Sequence, residues 1–484
     1  MNNLKKKIFI IFLIFFSLIL IGGGFLFYKS QKFLLPKIGE GKYWWIPTPS
    51  PVEKKPSLPP EIEVIFPPKE IEISLEKEEL PAEEVPPLTP ELEKEQLIQK
   101  GEKLILETQQ LISKIEKLIE EKEKERKILI EKAIQEARER SSQVKGVYMT
   151  EFIASSQNPV AVNTRENIKK LLDETELNGI VVDIKEAYGP NLPNSLKKLI
   201  EEFHKKDIWV IARICAFRDA SLIEEKPELY LKIATSTATA TDDFWKDYGG
   251  GYWLDPSSPE VQNYIIEFSK KAIDFGFDEL QFDYVRFPTD GNLKNIVYPV
   301  YDGTPERYQI IREFFLKLSK ALKSYQPLII LSIDLFGLTA TQFNVPVAGQ
   351  RLIDVSDTFD YISFMLYPSH FYGGFEVKED LERGLPALYF PYQSEDISQV
   401  VSNHPYQVVY RSILSASDYL SDLDSKAKIR PWLQDFNLKV DTERGIYYDA
   451  EKVRAQIKAA EDGGTSSWLL WNPSNIYTED ALSR

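Results

Sequence analysis

From residue 144 to the C-terminus, short apolar runs alternate with segments of helical periodicity. The runs at 146–150, 179–184, 209–214, 279–285, 328–335, 361–367, 429–433 and 467–471 are short and rich in Val, Ile, Leu, Phe and Trp, so they read as strands. Between them, 164–177, 194–206, 259–275, 305–325 and 449–462 carry the spacing of amphipathic helices. Eight strands alternating with helices predict an α/β fold, a (β/α)8 TIM barrel over 144–484. No G-x-G-x-x-G follows a strand, which weighs against a doubly wound open sheet.

The pattern upstream is different. Lys5, Lys6 and Lys7 precede an uncharged apolar run over 8–28, about the ~20 residues a helix needs to cross a bilayer. Residues 1–30 are therefore expected to form a single-pass anchor with a cytoplasmic N-terminus and an extracytoplasmic C-terminal domain. A cleaved signal peptide is the alternative, and it exports the same chain. Residues 31–90 are crowded with Pro and Glu and read as an extended linker. Over 91–141 there is no Pro, and Leu97, Leu104, Leu111 and Leu118 recur every seven residues, each followed by an isoleucine. That repeat predicts a long charged helix able to pair as a coiled coil and hold a homo-oligomer together. The complementary positions Gly101 and Thr108 make the seam narrow, so a lone helical stalk is the alternative.

Composition then narrows the chemistry. Lys and Arg number 59 against 74 Asp and Glu, a formal charge of −15 that argues against nucleic-acid binding. The single cysteine, Cys215, and three scattered histidines give no metal-ligand spacing. No metal or organic cofactor is called for, and carboxylate chemistry stays open.

Strand alternation shows where those carboxylates point. In the second to sixth strands the apolar parity, such as Ile180 and Val182 or Leu280, Phe282 and Tyr284, should face the helices. The other parity then puts Asp183, Arg213, Gln281, Asp283, Ser332, Asp334, Ser363, Met365 and Tyr367 inside the barrel. Asp183, Arg213, Asp283, Asp334 and Tyr367 all fall near the C-terminal strand ends, where this fold builds its sites. Buried charges need partners, so a structural ion network around Arg213, with Arg286, competes with a functional reading. Paired carboxylates suit glycoside hydrolysis, and Tyr148, Trp253, Tyr284, Tyr367, Phe371, Tyr372, Trp432 and Trp471 near strand ends suit sugar rings.

The segments KGVYMTEF (145–152), NGIVVDIKEAYG (178–189), IWVIARICAFRD (208–219), WLDPSSPEV (253–261), GFDELQFDYVRFPTDG (276–291), SIDLFG (332–337), ISFMLYPSHF (362–371), RPWLQDF (430–436) and WLLWN (468–472) resemble the bacterial DUF4015 family of glycoside hydrolase-like proteins, relatives of the alpha-amylase-like (GH13-type) barrels. The resemblance implies a nucleophile at the end of strand four, which is Asp283 in this sequence. It implies an acid/base at the end of strand five, where Asp334 stands in place of the Glu of alpha-amylase-like barrels. A third carboxylate from strand seven matches Asp435 most nearly. Asp183 with Glu186, or His370, are the other candidates for the acid. The implied activity is cleavage of O-glycosidic bonds in a polysaccharide, and the alternative is a glycan-binding or cell-envelope scaffold without catalysis.

Overall fold

A computed structural model of the chain describes residues 90–234 and 244–484. The expected anchor over 1–30 and nearly all of the linker over 31–90 lie outside the described residues. Among the described residues, no helix is long and apolar enough to cross a membrane.

The long helix is present as α1, Pro90–Ser141. Its repeating leucines Leu97, Leu104, Leu111 and Leu118 are exposed, as are Ile98, Ile112 and Ile119. Eight parallel strands follow: β1 (Lys145–Met149), β2 (Gly179–Glu186), β3 (Trp209–Cys215), β4 (Glu279–Asp283), β5 (Ile330–Phe336), β6 (Tyr361–Leu366), β7 in two pieces (Lys428–Ile429 and Trp432–Gln434) and β8 (Trp468–Trp471). Because β1 pairs with β2 on one side and with β8 on the other, the sheet closes into a barrel. Closure is tight at Gly146 and Gly179, which pair in register. A Cβ on Gly179 would come within 2.5 Å of the Val144 side chain, and one on Gly146 within 3.2 Å of the Gly179 carbonyl oxygen, so neither position has room for a side chain without a shift.

Helices cover the barrel between strands. α2 (Pro159–Glu174) starts five residues earlier than its spacing predicts, because the Asn158 side chain caps it and Pro159 fits its first turn. α3 (Asn194–His204) and α4 (Pro259–Phe275) follow the predicted ranges, and α4 runs from a Ser258 cap to Gly276 in the left-handed conformation. α5 (Arg307–Tyr325), α6 (Pro405–Asp422) and α7 (Ala450–Asp462) complete the layer.

The alternation argument holds at side-chain level. Ile180, Val182, Val210, Leu280, Phe282, Leu331, Ile333, Ile362 and Phe364 belong to the large cluster between barrel and helices. A separate cluster, with Tyr148, Val181, Ile211, Tyr361, Tyr367, Trp432 and Leu469, fills the interior. The predicted seventh strand is interrupted because Pro431 has no N–H for the ladder.

The floor of the barrel, at the strand N-termini, is closed by the end of α1. Ala137 packs on the interior cluster. The Ser141 hydroxyl meets the Tyr361 hydroxyl at 2.9 Å, and Arg430 Nη2 donates to the Ser141 carbonyl at 2.7 Å. Arg430 Nη1 also reaches both oxygens of Glu279, at 2.7 and 2.8 Å, and Trp209 Nε1 donates to the same carboxylate at 3.0 Å. The packing of the barrel therefore begins inside the 91–141 helix rather than at residue 144.

Candidate active site

At the opposite end, the strand C-termini bring three of the expected carboxylates onto the guanidinium of a fourth expected residue. Arg213, from β3, donates from Nη1 to Asp183 on β2 at 2.6 Å and from Nη2 to Asp283 on β4 at 2.5 Å. Its Nε lies 3.7 Å from Asp334 on β5. The parity that turns each side chain inward thus converges four neighbouring strands on one point.

Each carboxylate has a further partner. The Tyr148 hydroxyl donates to Asp183 Oδ2, and Trp432 Nε1 donates to Asp334 Oδ1 at 2.8 Å. The Tyr284 backbone N–H donates to Asp283 Oδ1 at 2.6 Å. Tyr284 has φ of 53°, a conformation uncommon for a residue with a Cβ. That turn ends β4 and places the tyrosine ring at the cavity wall, where alternation alone had put it on the helix side.

Burial sets the protonation states. Asp183 and Asp334 are 1% exposed, and desolvation raises both carboxyls above the usual range against the pull of Arg213. For Asp334, the neighbouring Asp283 charge adds to the rise. Desolvation also raises the Tyr367 hydroxyl, helped by the charges of Asp334 and Asp283, and raises that of Tyr148.

A cavity of about 460 Å³ opens beside this cluster, lined by Tyr148, Asp183, Glu186, Arg213, Arg218 and Tyr284, among others. Glu186 lies beyond the predicted end of β2. The strand continues to it through a register shift between Asp183 and Lys185. Residues three apart on a regular strand face opposite sides, but the irregularity resets the alternation and brings Glu186 into the same cavity as Asp183. Desolvation and the nearby Asp183 charge push the Glu186 carboxyl up to about 7. The bulge also leaves Lys185 fully buried, paired with Asp219 at 2.7 Å.

A second cavity of about 350 Å³ opens over β5 and β6, lined mainly by Phe336, Met365, Tyr367, His370, Phe371 and Tyr372. Trp471 stacks on Tyr367 with ring centroids 5.3 Å apart, and His370 stacks on Tyr372 at 5.7 Å. Burial lowers the His370 pKa, favouring the neutral ring.

Other expected residues serve the walls. Trp253 is buried and donates to Asp247 at 3.0 Å. Asp435 accepts from the Thr478 N–H at 2.9 Å and hydroxyl at 2.7 Å, so it ties down the C-terminal segment and does not join the Arg213 cluster. Gln434, not Asp435, shares the inward parity of Trp432 on β7. Sequence reasoning missed the pair of Arg218 with Asp247 at 2.7 Å, which comes from two loops and follows no strand parity. A larger cavity of about 870 Å³ lies at the floor beside α1, where its Asp360 is already paired with Lys323 at 2.6 Å.

Among solved structures, the chain is similar to a hypothetical protein from Ruminiclostridium thermocellum, with 32% identity over 39% of this chain and 96% of that one, at a TM-score of 0.31. It is also similar to an alpha-galactosidase from Thermus thermophilus, with 14% identity over 70% of this chain and a TM-score of 0.40, spanning 60% of that enzyme's length. An alpha-amylase from Lactobacillus plantarum shows 13% identity over 70% of this chain and 72% of that chain, at a TM-score of 0.40. No curated protein matches the chain. The family model described as "Putative glycosyl hydrolase domain" matches residues 146–477, the whole barrel from β1 to beyond β8, and the chain belongs to that family, DUF4015.

Proposed function

We propose that the barrel hydrolyses O-glycosidic bonds of a polysaccharide, with Asp283 acting on the anomeric carbon and Glu186 protonating the leaving oxygen. The observation that carries this reading is the difference between two carboxyls of one site. Asp283 accepts only from donors, Arg213 and the Tyr284 N–H, which suits a nucleophile or charge stabiliser. Glu186 lines the open cavity with its carboxyl near 7, where a proton donor works best at neutral pH. Asp334 is fully buried against Trp432 and supports the cluster from behind. Tyr148 and Tyr284 line the same cavity, where aromatic rings suit sugars.

The same reading takes the apolar run over 8–28 as a single-pass anchor and the exposed leucine repeat of α1 as a self-association seam, with the barrel outside the cytoplasm. A non-catalytic glycan-binding scaffold is the second reading, favoured by the bonding of Asp183 and Asp283 to the same arginine.

The test is product release from a polysaccharide panel by the full-length protein beside an Asp283→Asn variant of unchanged thermal stability. Release by the wild type, reduced at least ~1,000-fold in the variant, is the expected result. Equal release by both removes Asp283 from the chemistry. Retention of one glycan by both proteins, with no release, favours the scaffold.

A further inference from the structure

Arg286 follows β4, three residues past Asp283, and the hydrolytic scheme gives it no task. The residue is 7% exposed. Its Nη1 donates to the Phe287 carbonyl at 3.3 Å and to the Thr289 hydroxyl at 3.0 Å. Among the described residues no carboxylate forms an ion pair with it, unlike Arg213 and Arg218 beside it. Its Nε and Nη2 donate to no acceptor among the described residues, and neither atom is completely sealed.

Three aromatic rings hold the guanidinium. Its carbon lies 5.0 Å from the centroid of Trp253, 4.9 Å from Tyr284 and 4.7 Å from Phe336. Tyr284 lines the polar cavity and Phe336 the aromatic one, so Arg286 lies against a lining residue of each. A cation buried without a counter-charge is costly, and burial lowers the Arg286 pKa accordingly. A planar fork fixed on aromatic faces, with two donor positions unused, is matched to a two-oxygen anion. The carboxylates nearby do not fill that role: Asp283 and Asp183 are bonded to Arg213, and Asp334 to Trp432.

We infer that Arg286 reads an oxyanion carried by the glycan, which makes the substrate an acidic polysaccharide bearing uronate or sulfate groups. This rests on the reading of the site as glycan-binding, whether or not the bond is cleaved. The shared chemistry is a negatively charged oxygen pair presented beside a sugar ring, and the two sources are separated by experiment.

Affinity is measured with full-length protein for uronate oligosaccharides and for the same oligosaccharides after carboxyl reduction. A second arm uses sulfated galactan oligosaccharides and their desulfated forms. At least one anionic series is expected to bind about 10- to 100-fold more tightly than its neutral counterpart. That preference should weaken with added salt. R286Q should bring the anionic affinity down to the neutral value, while R286K keeps the charge, loses the fork and retains part of the preference. The thermal midpoint of R286Q should equal or exceed that of the wild type, because no ion pair is broken.

Equal affinity for anionic and neutral forms in the wild type, binding of neither, or a preference that survives in R286Q overturns the inference. A large drop in thermal midpoint in both variants would make Arg286 a packing residue instead and overturn it too. Hydrolysis confined to neutral glycans leaves the hydrolase reading standing and removes the anion site. Tight anionic binding without hydrolysis does the reverse.

Discussion

At the floor of the barrel one carboxylate, Glu279, meets one guanidinium, Arg430, and both are completely buried. At the mouth three aspartates surround one guanidinium, Arg213, and a glutamate waits beside them in an open cavity. The floor is balanced and sealed: Glu279 is gripped at both oxygens, and Arg430 has Ser141 as its remaining acceptor and the Tyr361 ring 3.7 Å from its carbon. The mouth has more acids than bases, so Asp183, Asp334 and Glu186 rise toward their protonated forms. Matched charge with no access describes a structural clamp. Surplus carboxyls with access describe a place where protons are exchanged.

Breaking the floor pair should have the largest effect. Glu279→Gln leaves Arg430 buried without its counter-charge and should cost about 3–5 kcal/mol in denaturant unfolding. Glu279→Leu combined with Arg430→Met should be less destabilising than either single change; if it is worse, the floor does more than balance charge. Next comes Glu186→Gln at the mouth, expected to lower kcat about 100-fold or more while hardly changing stability. In the wild type, activity should fall as pH rises above about 7, the Glu186 carboxyl value, as the donor loses its proton; a falling limb unchanged in Glu186→Gln would assign the donor elsewhere. Asp334→Asn should cost less than about 1 kcal/mol near neutral pH, since the buried carboxyl is held toward its protonated form and Asn keeps its shape. A loss of several kcal/mol would mean Asp334 is charged and clamped, like Glu279.

The smallest effect is linkage. A carboxyl raised by folding holds more protons in the folded chain than in the unfolded one, so stability falls as pH rises between the two values. For Glu186 that window runs from its ordinary value of 4.5 to about 7. The thermal midpoint should therefore decline from pH 5 to pH 8, and slightly less so in Glu186→Gln.

Strand parity carried most of this architecture. Apart from Tyr284, the residues expected to face the helices do so, and Asp183, Arg213, Asp283 and Asp334 meet because neighbouring parallel strands present their inward parity near their C-terminal ends. Glu279 shares the parity of Gln281 and Asp283 and could have been read as an inward charge at the strand start; its partner, 151 residues away, could not. The place of Glu186 in the cavity depends on a one-residue irregularity that periodicity does not encode. The left-handed turn at Tyr284, the break at Pro431 and the contact of Arg218 with Asp247 are likewise settled by local backbone geometry and loop packing, where hydrophobic patterning is silent.

The seam between α1 and the floor has a mechanical meaning. A helix of 52 residues reaches roughly 80 Å at ~1.5 Å per residue. Its last turn is bonded to Arg430 and Tyr361 inside the barrel, so the junction has no swivel that leaves the core intact. Torsion applied to the rod is delivered to the head, and the bearing of the cavity mouths is fixed where the helix enters. Those mouths open at the strand C-termini, on the far side of the barrel from the rod, so the helix and the cavities occupy opposite poles of the head, as a lamp's face and its arm do.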